Sequence, residues 1–107
     1  MHLHAPADPV PIDTDADGAV RVAGTRVTLD TIVAAFQSGA TPEEIAQQYP
    51  VVPLVDVYAV ITYYLRHQAE VGAYLEVRQQ RADEVRAEAE RRSPSAGLRE
   101  RLLARRR

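Results

Sequence analysis

The stretch that decides the fold runs from residue 41 to residue 65 and reads TPEEIAQQYPVVPLVDVYAVITYYL. At its start, Thr41 is a favoured N-cap residue, Pro42 suits the first helical position, and Glu44 stands where it can close a capping box. Pro50 ends the helix that this cap begins, because the residue before a proline avoids helical backbone angles. The sequence therefore predicts a short helix between Thr41 and Pro50.

A longer helix is predicted directly downstream, beginning at Pro53. Its apolar side chains recur in steps of three and four residues, the spacing that places them on one helical face. They are Leu54, Val57, Ile61, Tyr64, Val71 and Leu75, with Gln68 as the one polar residue in the series. The spacing continues weakly through smaller side chains, so one helix is predicted to run to about Arg92.

The segment upstream of Thr41 predicts a further helix and a short β segment. Apolar residues recur at helical spacing from Leu29 to Phe36, and Gly39 suits the left-handed position that ends a helix. Between residues 19 and 28 valines alternate with small or polar residues, which predicts two short strands or one strand bent at Gly24. We expect a side chain at Gly24 to clash and Arg26 to pair with Asp30.

Three helices joined by short connections are the pattern of a helix-turn-helix domain. The predicted fold is mostly α: a homeodomain-like three-helix body with a short N-terminal β segment and a long C-terminal helix and tail. Residues 1–17 are predicted to be a flexible arm because they are rich in Pro and Asp and show no periodicity. Residues 18–78 form the predicted domain, and residues 79–107 an Arg-rich helical or disordered tail.

The sequence lacks the features that catalysis or metal binding requires. It contains no Cys, which excludes a thiolate zinc site and a cysteine nucleophile. His2 and His4 have no metal-ligand partner at suitable spacing, and the alternating Asp13, Asp15 and Asp17 lack the Glu that closes a calcium loop. We predict no catalytic residue, no metal, no cofactor and no enzymatic activity.

Length and hydropathy indicate one domain outside the membrane. A chain of 107 residues that is 46% apolar can build one compact core. No apolar run approaches the roughly 18 residues of a membrane helix, and the N-terminus lacks the basic and then apolar pattern of a signal peptide. The sequence predicts a cytoplasmic protein with no membrane contact.

Charge divides the chain into an acidic body and a basic tail. Residues 1–75 hold three Arg against nine Asp and Glu, a net charge of −6, whereas residues 76–107 hold ten Arg against six, a net charge of +4. A basic tail suits a negatively charged partner, and it equally suits a solvated terminus that keeps the protein soluble. The tail also carries a small leucine stripe, which favours a partner. The candidate contact residues are Leu98, Arg99, Arg101, Leu102, Leu103 and Arg105.

The outward residues of the third helix are of types that can bind nucleic acid, but the negative charge of the body is unfavourable for such binding. Thr62, Tyr63 and Arg66 are the candidate DNA-binding residues, yet an acidic body repels phosphate. A packing scaffold or dimer module is the alternative, and the charge favours it slightly. We expect a homodimer through this helix, since Tyr58 and Tyr63 and the long apolar stripe exceed what so small a body can bury.

Several short motifs occur together in one order. They are GTRV at 24–27, GATPEEI at 39–45, YP at 49–50, VYAVITYYL at 57–65 and YL at 74–75. Over about residues 12–78 the chain resembles the small bacterial family catalogued as domain of unknown function number 433. It departs from the family pattern at Leu54 and Val55, where members usually offer a Ser or Thr cap and acidic residues.

The resemblance implies a homeodomain-like fold and an antitoxin of the VapB type, encoded beside a PIN-like ribonuclease toxin. We therefore expect the tail to neutralise such a toxin, with binding of the operon's promoter DNA as a second expected activity. A dimeric protein-interaction module without DNA binding is the alternative. A third, weaker hypothesis is that the Arg tail binds RNA directly.

Overall fold

The computed structural model describes residues 9–92, which form two strands and four helices. Their bounds are β1 Ile12–Thr14, β2 Val20–Val22, α1 Leu29–Gln37, α2 Pro42–Gln48, α3 Leu54–Arg66 and α4 Gln68–Arg92. The predicted class, mostly α with a short N-terminal β segment, is confirmed. The chain forms two units, one ending at Val71 and one beginning at Gly72. None of the helices in residues 9–92 could cross a bilayer, being either too short or too polar.

The two strands form an antiparallel hairpin in which Ile12 lies opposite Val22. Asp15 organises the turn: one carboxylate oxygen accepts from the backbone N–H groups of Asp17 and Ala19, and the other accepts from the Arg21 guanidinium at 2.9 Å. The prediction of a flexible arm over residues 1–17 is therefore wrong for β1. The prediction relied on hydrophobic periodicity, which is absent here because side-chain hydrogen bonds hold this turn in place. Residues 1–8 lie outside the described residues.

The segment after β2 is a turn and not a second paired strand. Thr28 makes a single antiparallel bridge to Arg21, and Gly24 has φ of +67°. No atom lies within 4 Å of where a Cβ of Gly24 would stand, so the predicted clash is wrong; the left-handed backbone is the reason for glycine there. Arg26 is exposed, and its pairing with Asp30 or another local carboxylate stays a prediction.

The predicted glycine end of α1 and the predicted capping box of α2 are confirmed, and α1 has in addition an N-cap that was not predicted. Thr28 accepts a hydrogen bond from the backbone of Thr31 at the start of α1, and Gly39 follows its end with φ of +99°. At α2 the capping box is complete: the Thr41 hydroxyl accepts from the Glu44 backbone at 3.1 Å, and the Glu44 carboxylate accepts from the Thr41 backbone at 3.0 Å. Helix α3 begins after Pro53 without a side-chain cap.

The predicted single helix from Pro53 to Arg92 is wrong, because the chain leaves helical geometry at His67. His67 has φ of −128° and ψ of +42°, and its backbone N–H donates to the carbonyls of Tyr63 and Tyr64. If the helix continued without a break, Gln68 would lie on the same buried face as Ile61 and Tyr64, because its spacing from them is helical. After the break, Gln68 is exposed and Val71 is buried.

The core lies between the hairpin and the first three helices, and α3 contacts both α1 and α2. At one edge the rings of Phe36 and Tyr64 meet edge to face, 6.3 Å apart. Three of the six apolar residues in the predicted stripe are buried, namely Val57, Ile61 and Val71, together with residues outside that stripe such as Val52 and Val60. The buried apolar side chains in residues 9–92 are Ala19, Val22, Leu29, Ile32, Val33, Ile45, Val52, Val57, Val60, Ile61 and Val71.

Thr41→Ala should lower the free energy of unfolding by about 1 kcal/mol, the usual effect of losing an N-cap hydroxyl. Urea denaturation followed by circular dichroism measures this change. Thr62→Ala is the matched control, since Thr62 is exposed within α3 and caps no helix. Destabilisation by Thr62→Ala equal to that by Thr41→Ala would contradict the assigned role of the capping box.

Candidate functional site

Helix α3 has two faces of different character. Val57, Val60 and Ile61 are buried on the inner side. On the outer side, Leu54, Tyr58 and Leu65 are four and seven residues apart, so they form one stripe along the helix; Val55 lies beside it. We call the exposed apolar residues of α3 and the preceding turn the apolar face; they are Val51, Leu54, Val55, Tyr58 and Leu65, each 42–71% exposed.

One hydrogen bond fixes the centre of the apolar face. The Tyr58 hydroxyl donates to the carboxylate of Glu43 at the start of α2. This bond lowers the pKa of Glu43 below its ordinary value of 4.5, because it stabilises the charged form. The same bond to a carboxylate raises the pKa of Tyr58 above 10.0, since ionisation of the phenol would remove the donor. The Tyr58 ring is thereby held in one place while almost half of its surface is exposed.

The structure brings together two of the three residues predicted to bind DNA. Thr62 and Arg66 are exposed and lie four residues apart on the outer side of α3. Tyr63 is partly buried, and its ring stacks on the His67 ring with centroids 4.4 Å apart. Arg66 is the one basic residue of α3, while Asp56 stands in its first turn. A helix with this charge distribution offers a phosphate backbone very little.

The residues predicted to bind a toxin lie outside the described residues: Leu98, Arg99, Arg101, Leu102, Leu103 and Arg105. The helix that precedes them is described as far as Arg92. From residue 79 to residue 92 every side chain of α4 is exposed. This part of the helix carries ion pairs between residues one turn apart, Asp83 with Arg86 at 3.7 Å and Glu88 with Arg92 at 2.5 Å.

The described residues offer little for catalysis. No three His, Asp or Glu side chains in residues 9–92 are grouped so that they could hold a metal ion. An open groove between α1 and α2 is lined mainly by small residues and includes Ser38 and Glu44. Both side chains already bond to helix ends, Ser38 to the carbonyl of Ala34 and Glu44 within the capping box. Neither the Ser38 hydroxyl nor the Glu44 carboxylate is therefore free to act as an acid, a base or a nucleophile.

The sequence analysis missed most of the apolar face. It placed Leu54 in the buried stripe, whereas 42% of its surface is exposed, and it gave no role to Val51 or Leu65. One signal was available in the sequence: α3 begins with two adjacent large apolar residues, Leu54 and Val55. Successive helical residues point in different directions, so one helix cannot bury both on the same inner face.

Tyr58→Phe should destabilise the protein at neutral pH and by less at either extreme. A lowered Glu43 pKa contributes stability above pH 4.5 that is lost as Glu43 is protonated, and a raised Tyr58 pKa contributes stability that is lost above pH 10. Melting temperatures of wild type and variant across pH 3–11 measure the difference. Tyr63→Phe is the control, because the Tyr63 ring contact does not use its hydroxyl. A Tyr58→Phe difference that is constant across this range would contradict the role given to the bond.

Comparison with known proteins gives one match. The family model described as "Protein of unknown function (DUF433)" matches residues 15–64, from the Asp15 turn to Tyr64 on α3. No curated protein and no solved structure matches the chain. The matched segment lies within residues 12–78, where the sequence motifs indicated this resemblance. The resemblance to the DUF433 family that the sequence motifs indicated is therefore confirmed over residues 15–64.

Proposed function

We propose that this chain is the antitoxin component of a type II toxin–antitoxin system, acting in the cytoplasm. In this proposal its C-terminal region binds a PIN-like ribonuclease toxin and neutralises it. The three-helix body is the part that folds around its own core, and it precedes α4 and the residues after Arg92 in the sequence. The antitoxin assignment comes from the family resemblance, and the charge and exposure of the chain support it.

The observation that carries the proposal is the exposure of α4. Val71 is its buried residue, and all side chains from residue 79 to residue 92 are exposed. Most helices in proteins are stabilised by packing an apolar face. An isolated helix of about 14 residues, the length of the exposed stretch, is only marginally stable in water. Ion pairs such as Asp83–Arg86 contribute only about 0.3–0.5 kcal/mol each. A partner that packs along α4 would supply the stabilisation that the exposed part lacks.

The charge of the C-terminal region indicates the kind of partner. Residues 76–107 carry ten Arg and no Lys. Guanidinium groups pair with carboxylates through two parallel hydrogen bonds, which a Lys ammonium cannot do. An acidic cluster such as the one that holds Mg²⁺ in a PIN-like nuclease is a suitable target. Arg side chains placed there would occupy the position of the metal and of the RNA phosphate.

A dimeric protein-interaction module without DNA binding is the second candidate, and the apolar face favours it over promoter repression. Direct reading of DNA by α3 would require Thr62, Tyr63 and Arg66 to face a groove together. Tyr63 is stacked on His67 instead, and residues 1–75 carry a net charge of −6. Much of the affinity for nucleic acid comes from cations that neutralise phosphates, and the outer side of α3 provides Arg66. We therefore keep promoter binding as a subsidiary proposal.

Deleting residues 93–107 should abolish neutralisation of the PIN-like protein encoded beside this chain, while the body stays folded. Loss of a buried Arg–carboxylate pair costs a few kcal/mol, roughly a hundredfold in affinity. Growth of cells that co-express the two genes measures neutralisation, and circular dichroism of the purified chain checks the fold. Co-purification of the two full-length proteins gives an independent measure of binding.

A sharper variant keeps the chain at full length. Leu98→Asp with Leu102→Asp should abolish neutralisation, because both leucines belong to the candidate contact set. Arg106→Ala with Arg107→Ala is the control: it removes two charges from outside that set and should leave neutralisation in place. Full neutralisation by the truncated chain would move the toxin site onto the body and overturn the role of the tail.

A further inference from the structure

We propose that the apolar face of α3 binds the same face of a second copy of this chain, with the two α3 helices antiparallel across a two-fold axis. This inference goes beyond the proposed function, which assigns the toxin contact to the C-terminal region. It rests on the residues of α3 and the adjoining turn.

The outer surface of α3 and of the turn before it is apolar and exposed. Val51 and Val55 are 65% and 71% exposed, and Leu65 is 50% exposed. Single exposed apolar side chains are ordinary, but four large ones on one side of α3, with Val51 in the turn before it, mark an interaction site. Tyr58 is the central residue of the face, the exposed Thr62 follows it by one helical turn, and neither side chain has a formal charge. Such a surface is suited to a protein partner.

The charges around the apolar face exclude a nucleic acid as the occupant. A nucleic-acid site must present several cations to the phosphates. The helix supplies Arg66, while Asp56 stands in its first turn and Glu43 lies against Tyr58. Carboxylates at this position repel phosphate and accept contacts from arginine.

Acidic and basic groups lie at opposite ends of the apolar face. The acidic Glu43 lies towards the N-terminal half of α3, and Arg66 lies at its C-terminal end. A parallel pair would set like charges side by side. An antiparallel pair centred between Leu54 and Leu65 sets Leu65 of one copy opposite Leu54 of the other, and Arg66 opposite Pro53. Arg66 then lies about 7.5 Å along the axis from the partner's Tyr58, which bonds to Glu43, so an extended arginine side chain points towards that carboxylate.

The centre of the apolar face is ordered before binding. Tyrosine is a frequent energetic anchor of interfaces because it buries a large ring with few rotatable bonds. The hydrogen bond to Glu43 holds the Tyr58 ring in position. Less side-chain entropy is therefore lost when a second copy covers it. The bond also leaves the phenol and the carboxylate partnered when water is removed.

Sedimentation equilibrium of the full-length chain alone tests this proposal. We expect the wild type to form a dimer in the micromolar range, and Leu65→Asp to raise the dimer dissociation constant at least about a hundredfold, because each copy would then bury a carboxylate against the partner's Leu54, far from the partner's Arg66. Leu65 is 50% exposed in the single chain and lies outside the core. Circular dichroism is therefore expected to show an unchanged fold.

Val77→Asp is the matched control, since Val77 is 61% exposed on α4 and lies outside the apolar face. It should leave the dimer intact. A monomeric wild type at high micromolar concentration would overturn the proposal, and so would equal weakening by the two variants. A monomer that binds duplex DNA and loses this binding in Leu65→Asp would assign the face to DNA instead. Because no toxin is present, each result is independent of the neutralisation experiment.

Discussion

The burial of Val57, Val60 and Ile61 on one side of α3 is the interaction on which the rest of the structure depends. Through these side chains α3 contacts both α1 and α2, and each buried aliphatic side chain contributes roughly 1.5–3 kcal/mol. A helix rotated to bury these three residues must turn its opposite side to solvent. Leu54, Val55 and Leu65 are therefore exposed as a consequence of how the core is built.

Local rules in the sequence were sufficient for most of the helices. The capping box at Thr41 and the glycine after α1 act over three or four residues, so their signals can be read without knowledge of the tertiary structure. The Asp15 turn and the break at His67 could not be found in this way. The turn depends on the Asp15–Arg21 contact across the hairpin, and the break depends on which side of α3 faces the core. Both are decided by contacts between segments that periodicity alone does not reveal.

The candidate site was predicted less completely than the fold. Sequence spacing identified Thr62 and Arg66 as outward residues of α3, because outward positions follow directly from helical period. It placed Tyr63 on the outer side as well, but the Tyr63 ring stacks on the His67 ring and is partly buried. The extent of the apolar face was not predictable, since an apolar residue at helical spacing suits a core and an interface equally. Only the packing of α1 and α2 on α3 separates the two.

The body is stabilised by its own core, whereas we propose that the exposed part of α4 needs a partner for full stability. Hydrogen–deuterium exchange of the free full-length chain, at a concentration where it is a single species, tests this most directly. We expect the amides of Val57, Val60 and Ile61 to exchange most slowly, and those of residues 79–92 to exchange orders of magnitude faster, as in a helix that opens locally. Protection of residues 79–92 equal to that of α3 in the free chain would contradict the account.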